Sequence, residues 1–240
     1  MSTQTSTLIS RIEIRDLVKR FHHQPVLNHL SLTINDGDFC VLVGDNGAGK
    51  TTLLRILAGL VRPNHGVVTI CGSDPISEHP LRRSIGYVGH HPMFYQDLTA
   101  LENLMHYARL YQVGNIPRTI AEAIQAVGLT TYDQQPVRTL SRGMQQRLSL
   151  ARALIHQPSI LLFDEPYTGL DQAAAVFLDD TLRGLHTPGR TILLAAHRPQ
   201  RLLSIASHVA WLKDGVIHRH LPVDRLGEAP ELGRYLQEVA

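Results

Sequence analysis

Phe39-Cys40-Val41-Leu42-Val43-Gly44-Asp45-Asn46-Gly47-Ala48-Gly49-Lys50-Thr51 is the stretch that decides the fold. Five apolar residues in a row, closed by a glycine, have the length and composition of a strand buried on both faces. Lys50 to Leu60 then sets Leu53, Leu54, Leu57 and Ala58 on one side of a helix. Between strand and helix, Gly44 to Thr51 fits the pattern G-x-x-x-x-G-K-[ST]. Such a loop turns several backbone N–H groups toward a phosphate, and the helix start adds the positive end of its dipole. The expected cradle is Gly44, Asp45, Asn46, Gly47, Ala48 and Gly49, with Thr52 completing the set. Lys50 bridges the β- and γ-phosphate oxygens and the Thr51 hydroxyl faces Mg²⁺.

A magnesium nucleotide needs a carboxylate near its metal. Ile160-Leu161-Leu162-Phe163-Asp164-Glu165 supplies one at the end of a second buried apolar run. Asp164 is expected to hold Mg²⁺ through water, and Glu165 to polarise an attacking water as general base. The plainer role for this pair, capping the turn at Pro166, loses ground once the glycine-rich loop is considered with it.

Around these two segments the chain alternates in character. Ile9 to Val18 and Leu30 to Ile34 read as strands, and so does Val67 to Cys71. From Leu98 the period changes: Thr99-Ala100-Leu101-Glu102 has the spacing of a capping box, followed by Leu104, Met105 and Ala108 at helical intervals. Further helices are expected over Ile116 to Val127, Arg142 to Leu154 and Gln172 to Leu185. Thr191 to Ala196 reads as a buried strand, and Ala210-Trp211-Leu212, Asp214-Gly215 and Val216-Ile217 as a hairpin.

Composition bounds the class. Of 240 residues, 43% are hydrophobic and 18% charged, which is ordinary for a chain that folds around a core. A net charge of +2 nominates no nucleic-acid partner. No apolar run approaches the 18 or more residues that cross a bilayer. Met1 to Ser10 is rich in Ser and Thr and has no export-signal pattern, which points to the cytoplasm. Cys40 and Cys71, both in strand-like segments without a partner at metal spacing, read as buried thiols.

Leu140-Ser141-Arg142-Gly143-Met144-Gln145-Gln146-Arg147, shortly before Asp164-Glu165, resembles the signature motif of ATP-binding cassette (ABC) proteins. Thr168-Gly169-Leu170-Asp171 is similar to the family's D-loop, and His197 stands where the family has its switch histidine. The resemblance covers nearly the whole chain. It implies an α/β fold, a P-loop NTPase (RecA-like) core with an antiparallel β subdomain and an inserted α-helical subdomain, as one domain over 1–240 with helices over about 98–155. It also implies ATP and Mg²⁺ as cofactors and ATPase activity. Ser141 and Gly143 of one copy would close over the γ-phosphate held by another copy, in a homodimer or heterodimer. His197 would contact that phosphate and position water with Glu165, Asp171 would link the two sites, and Phe21 stands where an aromatic residue stacks on adenine.

Three departures from the family pattern stand out. His90, in Tyr87-Val88-Gly89-His90-His91-Pro92, replaces the usual Gln near the metal, and imidazole is a poorer partner than an amide oxygen for Mg²⁺. It acts through water or serves coupling. Arg142 replaces a glycine after the signature serine, and Met144 replaces a Gln. Within the family, these motifs together with Leu98-Thr99-Ala100-Leu101-Glu102-Asn103 and Glu165-Pro166-Tyr167 resemble the ATP-binding subunit of the haem exporter of cytochrome c maturation. That implies integral membrane permease subunits as partners and a place on the inner face of the cell membrane. Another two-subunit exporter and a soluble iron–sulfur assembly ATPase are the competing readings. A non-hydrolysing switch is disfavoured by Glu165 and His197.

Overall fold

The structure, a computed structural model, describes residues 10–22 and 24–239. The loose tail expected before Ser10 and the strand start at Ile9 lie outside them. Among the described residues nine strands run in chain order: β1 (Ser10–Phe21), β2 (Gln24–Asn35), β3 (Phe39–Val43), β4 (His65–Ile70), β5 (Ile85–Val88), β6 (Ile160–Asp164), β7 (Thr191–Ala196), β8 (His208–Lys213) and β9 (Val216–Pro222). The helices are α1 (Lys50–Leu57), α2 (Ala100–Leu110), α3 (Ile116–Ala126), α4 (Arg142–Leu154), α5 (Gln172–Leu185) and α6 (Pro230–Glu238).

β3 lies inside a six-stranded sheet of order β5-β6-β7-β3-β8-β9, parallel except for the antiparallel β8–β9 hairpin. All five residues of β3 are buried, and their alternation divides them between two cores. Phe39, Val41 and Val43 face the side covered by α2 to α5, together with Phe163 and Leu194. Cys40 and Leu42 face the side covered by α1 and by a three-stranded antiparallel sheet of order β2-β1-β4. A strand enclosed on both faces has no use for polar residues, which is why the run is continuous rather than alternating.

The helical section starts where expected. Thr99 Oγ1 accepts from the Glu102 backbone N–H at 3.1 Å, and the Glu102 carboxylate accepts from the Thr99 N–H at 2.8 Å, a complete capping box. That N–H, with the Thr99 hydroxyl, holds the Glu102 carboxyl below its usual range. Asn103, fully buried, accepts from the Tyr95 N–H and donates to the carbonyls of Tyr95 and Thr99. It therefore pins the loop preceding α2 to the helix start.

Several boundaries differ from expectation. Helix α1 stops at Leu57 because Gly59, at φ 69°, closes it: Gly59 N–H bonds the Ile56 carbonyl and Leu60 N–H the Arg55 carbonyl. Cys40 is buried as expected, but Cys71 is exposed. It follows the end of β4 in a left-handed turn, φ 51°, where its sulfur accepts from Arg11 at 3.3 Å. The β8–β9 turn uses Asp214 and Gly215, both at positive φ, as a two-residue hairpin of this twist demands. Helix α6 was not anticipated. Among the described residues no helix is long and apolar enough to cross a membrane.

Candidate nucleotide site

The glycine-rich loop leaves the end of β3 and enters α1 at Gly49, which sits at φ 108°. A β-carbon there would fall 2.7 Å from the Leu27 side chain and 3.0 Å from the Val26 carbonyl, so only glycine lets the cradle rest against β2. Asp45, Asn46, Gly47 and Ala48 line a cleft of about 600 Å³ together with Gln24, Pro25, Val26, Lys213, Asp214 and Gly215. Phe21 is 46% exposed at the end of β1, with the Lys19 ammonium 4.8 Å over its ring. It is not one of the residues lining that cleft, which is bordered on this side by Gln24 to Val26.

Lys50, 5% exposed, donates to the carbonyls of Gly44 at 2.7 Å and Asp45 at 3.1 Å. Its ammonium also lies 3.3 Å from Glu165 Oε1. Thr51 donates its hydroxyl to Asp164 Oδ1 at 2.9 Å, and Thr52 lies in the same first turn, half-buried. Asp164 ends β6 and is completely buried. Burial raises its pKa, with Glu165 adding to the rise, while the Thr51 hydrogen bond and the charges of Arg55 and His90 oppose it. A buried carboxylate beside a hydroxyl is a hard-oxygen donor pair, which fits Mg²⁺. Among the described residues no three acidic, His or Cys side chains gather as a metal cage, so a magnesium ion here must take most of its ligands from nucleotide and water.

Glu165 follows Asp164 at φ 52°, a left-handed position that costs a non-glycine residue about 1 kcal/mol. The strain is held by its N–H on the Ala195 carbonyl at 3.0 Å and by the Thr168 N–H on its own carbonyl at 3.1 Å. Glu165, Thr168, Gly169 and His197 line one cleft of about 340 Å³. His197 follows β7, with Nδ1 buried and without a hydrogen-bond partner among the described residues. Tyr167 donates to Asp179 Oδ1 at 2.6 Å, tying this loop to α5. His90 is exposed, edge-on to His91 with ring centres 4.9 Å apart.

Ser141 caps α4 by accepting the Met144 N–H at 3.3 Å. Ser141 and Gly143 lie apart from the cleft that Asp45 to Ala48 line, so one copy of the chain keeps its two candidate cradles separate. Sequence reading missed three groups. Tyr87 places its hydroxyl 3.4 Å from Asp164 Oδ2, and burial first, then Asp164, push its pKa up to about 12. Arg152 donates to the Tyr87 carbonyl at 2.6 Å, fixing the segment that leads to His90. Tyr235 of α6, stacked on Trp211 with ring centres 5.1 Å apart, is raised in pKa by burial and by the carboxylates of Asp45 and Glu165. Tyr87 stood in a segment already singled out. Nothing in the order of residues links Tyr235 to a loop almost two hundred positions away.

A family model described as "ABC transporter" matches residues 27–168, more than half of the chain. The chain belongs to that family. It is similar to the ABC transporter ATP-binding protein NatA of Bacillus subtilis (strain 168), at 35% identity over 217 residues, covering 87% of this chain and 88% of that one. It is also similar to the bacitracin transport ATP-binding protein BcrA of Bacillus licheniformis, at 34% identity, covering 90% and 71%. Among solved structures, an ATP-binding subunit of an ABC transporter superposes with a TM-score of 0.86 at 25% identity, covering 97% of this chain and 99% of that one. A dimeric ATP-binding cassette in a post-hydrolysis state, bound to ADP and Pi, gives 0.81 at 26% identity, covering 88% and 98%. The fold is accordingly a P-loop NTPase with an antiparallel β subdomain. The chain is the ATP-binding subunit of an ABC transporter, an ATPase of the class that couples hydrolysis to transport.

Proposed function

We propose that this single domain, 1–240, works as one of two ATPase copies, identical or related, that sandwich two nucleotides and drive separate integral membrane permease subunits from the inner face of the membrane. The observation that carries the reading is the convergence of Lys50, Glu165, Asp164 and Thr51 at the ends of β3 and β6. Gly44 to Thr52 cradle the phosphates of ATP, and Phe21 meets the base only if its ring leaves Lys19 for the cleft. Mg²⁺, held by Thr51 and Asp164 with His90 acting through water, would neutralise charge on the bridging phosphates. A γ-phosphate competes with Glu165 for the Lys50 ammonium, and its arrival releases the carboxylate to accept a proton from water. His197, on the same cleft as Glu165, orients that water against the phosphate. Ser141 and Gly143 of the other copy offer the N-terminus of α4 to the γ-phosphate, which a single copy cannot do for itself.

Glu165→Gln tests the assignment directly. ATP turnover should fall by about 100-fold or more, the worth of a positioned general base, while ATP binding persists. Turnover equal to that of the parent would overturn the role of Glu165.

The cargo we assign is haem for c-type cytochrome assembly. Its support is the resemblance carried by His90-His91, the Leu98 to Asn103 segment, the Ser141 to Arg147 signature and Tyr167; the two relatives described above carry other names. Purification of the Glu165→Gln form with ATP from native membranes, with identification of the proteins retained, tests this. Small integral proteins of cytochrome maturation are expected. A different polytopic partner would replace the cargo and keep the transporter.

A further inference from the structure

Asp45 puts a carboxylate into a loop built to hold phosphates, where like charges oppose the entry of a nucleotide. It is exposed, and among the described residues its carboxylate has neither an ion pair nor a hydrogen bond. Lys50 does not neutralise it: the ammonium donates to the main-chain carbonyl of Asp45 at 3.1 Å and lies 3.3 Å from Glu165. Asp45 also borders a second crevice, of about 340 Å³, with Trp211, Lys213, Arg234 and Tyr235.

Tyr235 is 9% exposed, and its hydroxyl is buried without a hydrogen-bond partner among the described residues. That group has left water and gained no bond in return. Its position is fixed from three sides. The ring stacks on Trp211 with centres 5.1 Å apart, Leu232 and Leu236 bury the same face of α6, and Gln200 donates to the Leu236 carbonyl at 2.8 Å. Burial raises the pKa of the hydroxyl and the carboxylates of Asp45 and Glu165 raise it further, so it meets a carboxylate as a donor. Of those two carboxylates, Glu165 already has the Lys50 ammonium and Asp45 has no partner. The cations of the crevice are weaker candidates, because Lys213 and Arg234 are exposed and keep their water, and Lys213 lies 5.7 Å over the Trp211 ring.

We propose that Tyr235 is a positioning residue for nucleotide binding: as phosphates enter the Gly44 to Thr51 loop, its hydroxyl takes the Asp45 carboxylate and holds it away from them. The proposal rests on the reading of Gly44 to Thr52 as the phosphate cradle and is independent of the dimer.

The test is a double-mutant cycle on the full chain, with the dissociation constant of ADP measured by calorimetry so that no hydrolysis intervenes. Tyr235→Phe keeps the stacked ring and removes only the donor. It should weaken ADP about tenfold, the worth of a hydrogen bond to a charged group. In an Asp45→Asn background the same change should alter binding by less than about twofold, because no charge is left to hold away. The loss in Tyr235→Phe should also shrink as salt is raised to about 0.5 M. Unchanged binding by Tyr235→Phe overturns the proposal. An equal loss in both backgrounds, a loss that salt does not reduce, or a lower melting temperature of the nucleotide-free Tyr235→Phe chain overturns it in favour of a structural role. Lys50→Ala separates the two readings: if that chain binds ADP as tightly as the parent, the phosphate cradle is misassigned and the proposal falls with it.

Discussion

At the scale of single residues, the site is a set of charges whose cost is met by neighbours. Asp164 is fully buried and its pKa is raised, so folding shifts it toward the protonated form relative to the unfolded chain. The sign follows: the stability it contributes is complete below the ordinary carboxylate value of 3.8 and is lost as pH rises through the raised one. Asp164→Asn should therefore raise the melting temperature near neutral pH by about 2–4 °C while abolishing hydrolysis, measured by calorimetry and phosphate release. A melting temperature that falls would show that Thr51 and Arg55 more than compensate the burial. Lys50, Thr51, Asp164 and Glu165 were legible because motif and strand context fix their positions relative to one another. Phe21 was read from family position alone, and the structure leaves its ring beside Lys19 rather than on the cleft wall.

At the scale of elements, the loop before α2 depends on Asn103, which satisfies three backbone groups of Tyr95 and Thr99. Asn103→Leu fills similar space but leaves those groups unpaired, so it should cost about 2–4 kcal/mol in denaturant unfolding. Thr99→Ala removes only one cap and should cost about 1 kcal/mol. His156, just past α4, stacks on Tyr111 with ring centres 3.8 Å apart and engages the Ile85 carbonyl through Nε2. Burial lowers its pKa, so its stability contribution is present above the ordinary value of 6.5 and lost as pH falls through the depressed one. His156→Phe should flatten the acid side of the stability profile; an unchanged slope would assign that loss elsewhere. Capping box, β3 and the Asp214-Gly215 hairpin were legible because each is a local rule. The end of α1, set by Gly59, shows how one left-handed glycine overrides apolar periodicity that continues past it.

At the scale of the molecule, the sheet order brings β3, β6 and β7 side by side, so that loop, carboxylates and His197 meet although the loop lies more than a hundred residues before the other two. ATP binding to this assembled site should raise the melting temperature by about 5–10 °C at 100 times the dissociation constant, and Lys50→Ala should lose the shift. The two-sided core and its helical insertion were legible from the change of period at Leu98. The return of α6 to the phosphate loop was not, because packing between distant segments leaves no local pattern. That return gives the protein a built-in optical gauge. Trp211, the chain's single tryptophan, is 8% exposed and borders one crevice with Asp45, Lys213 and Tyr235. Any shift of the loop that disturbs Tyr235 must change the environment of one indole, so the protein's intrinsic fluorescence reads the phosphate loop without an added label.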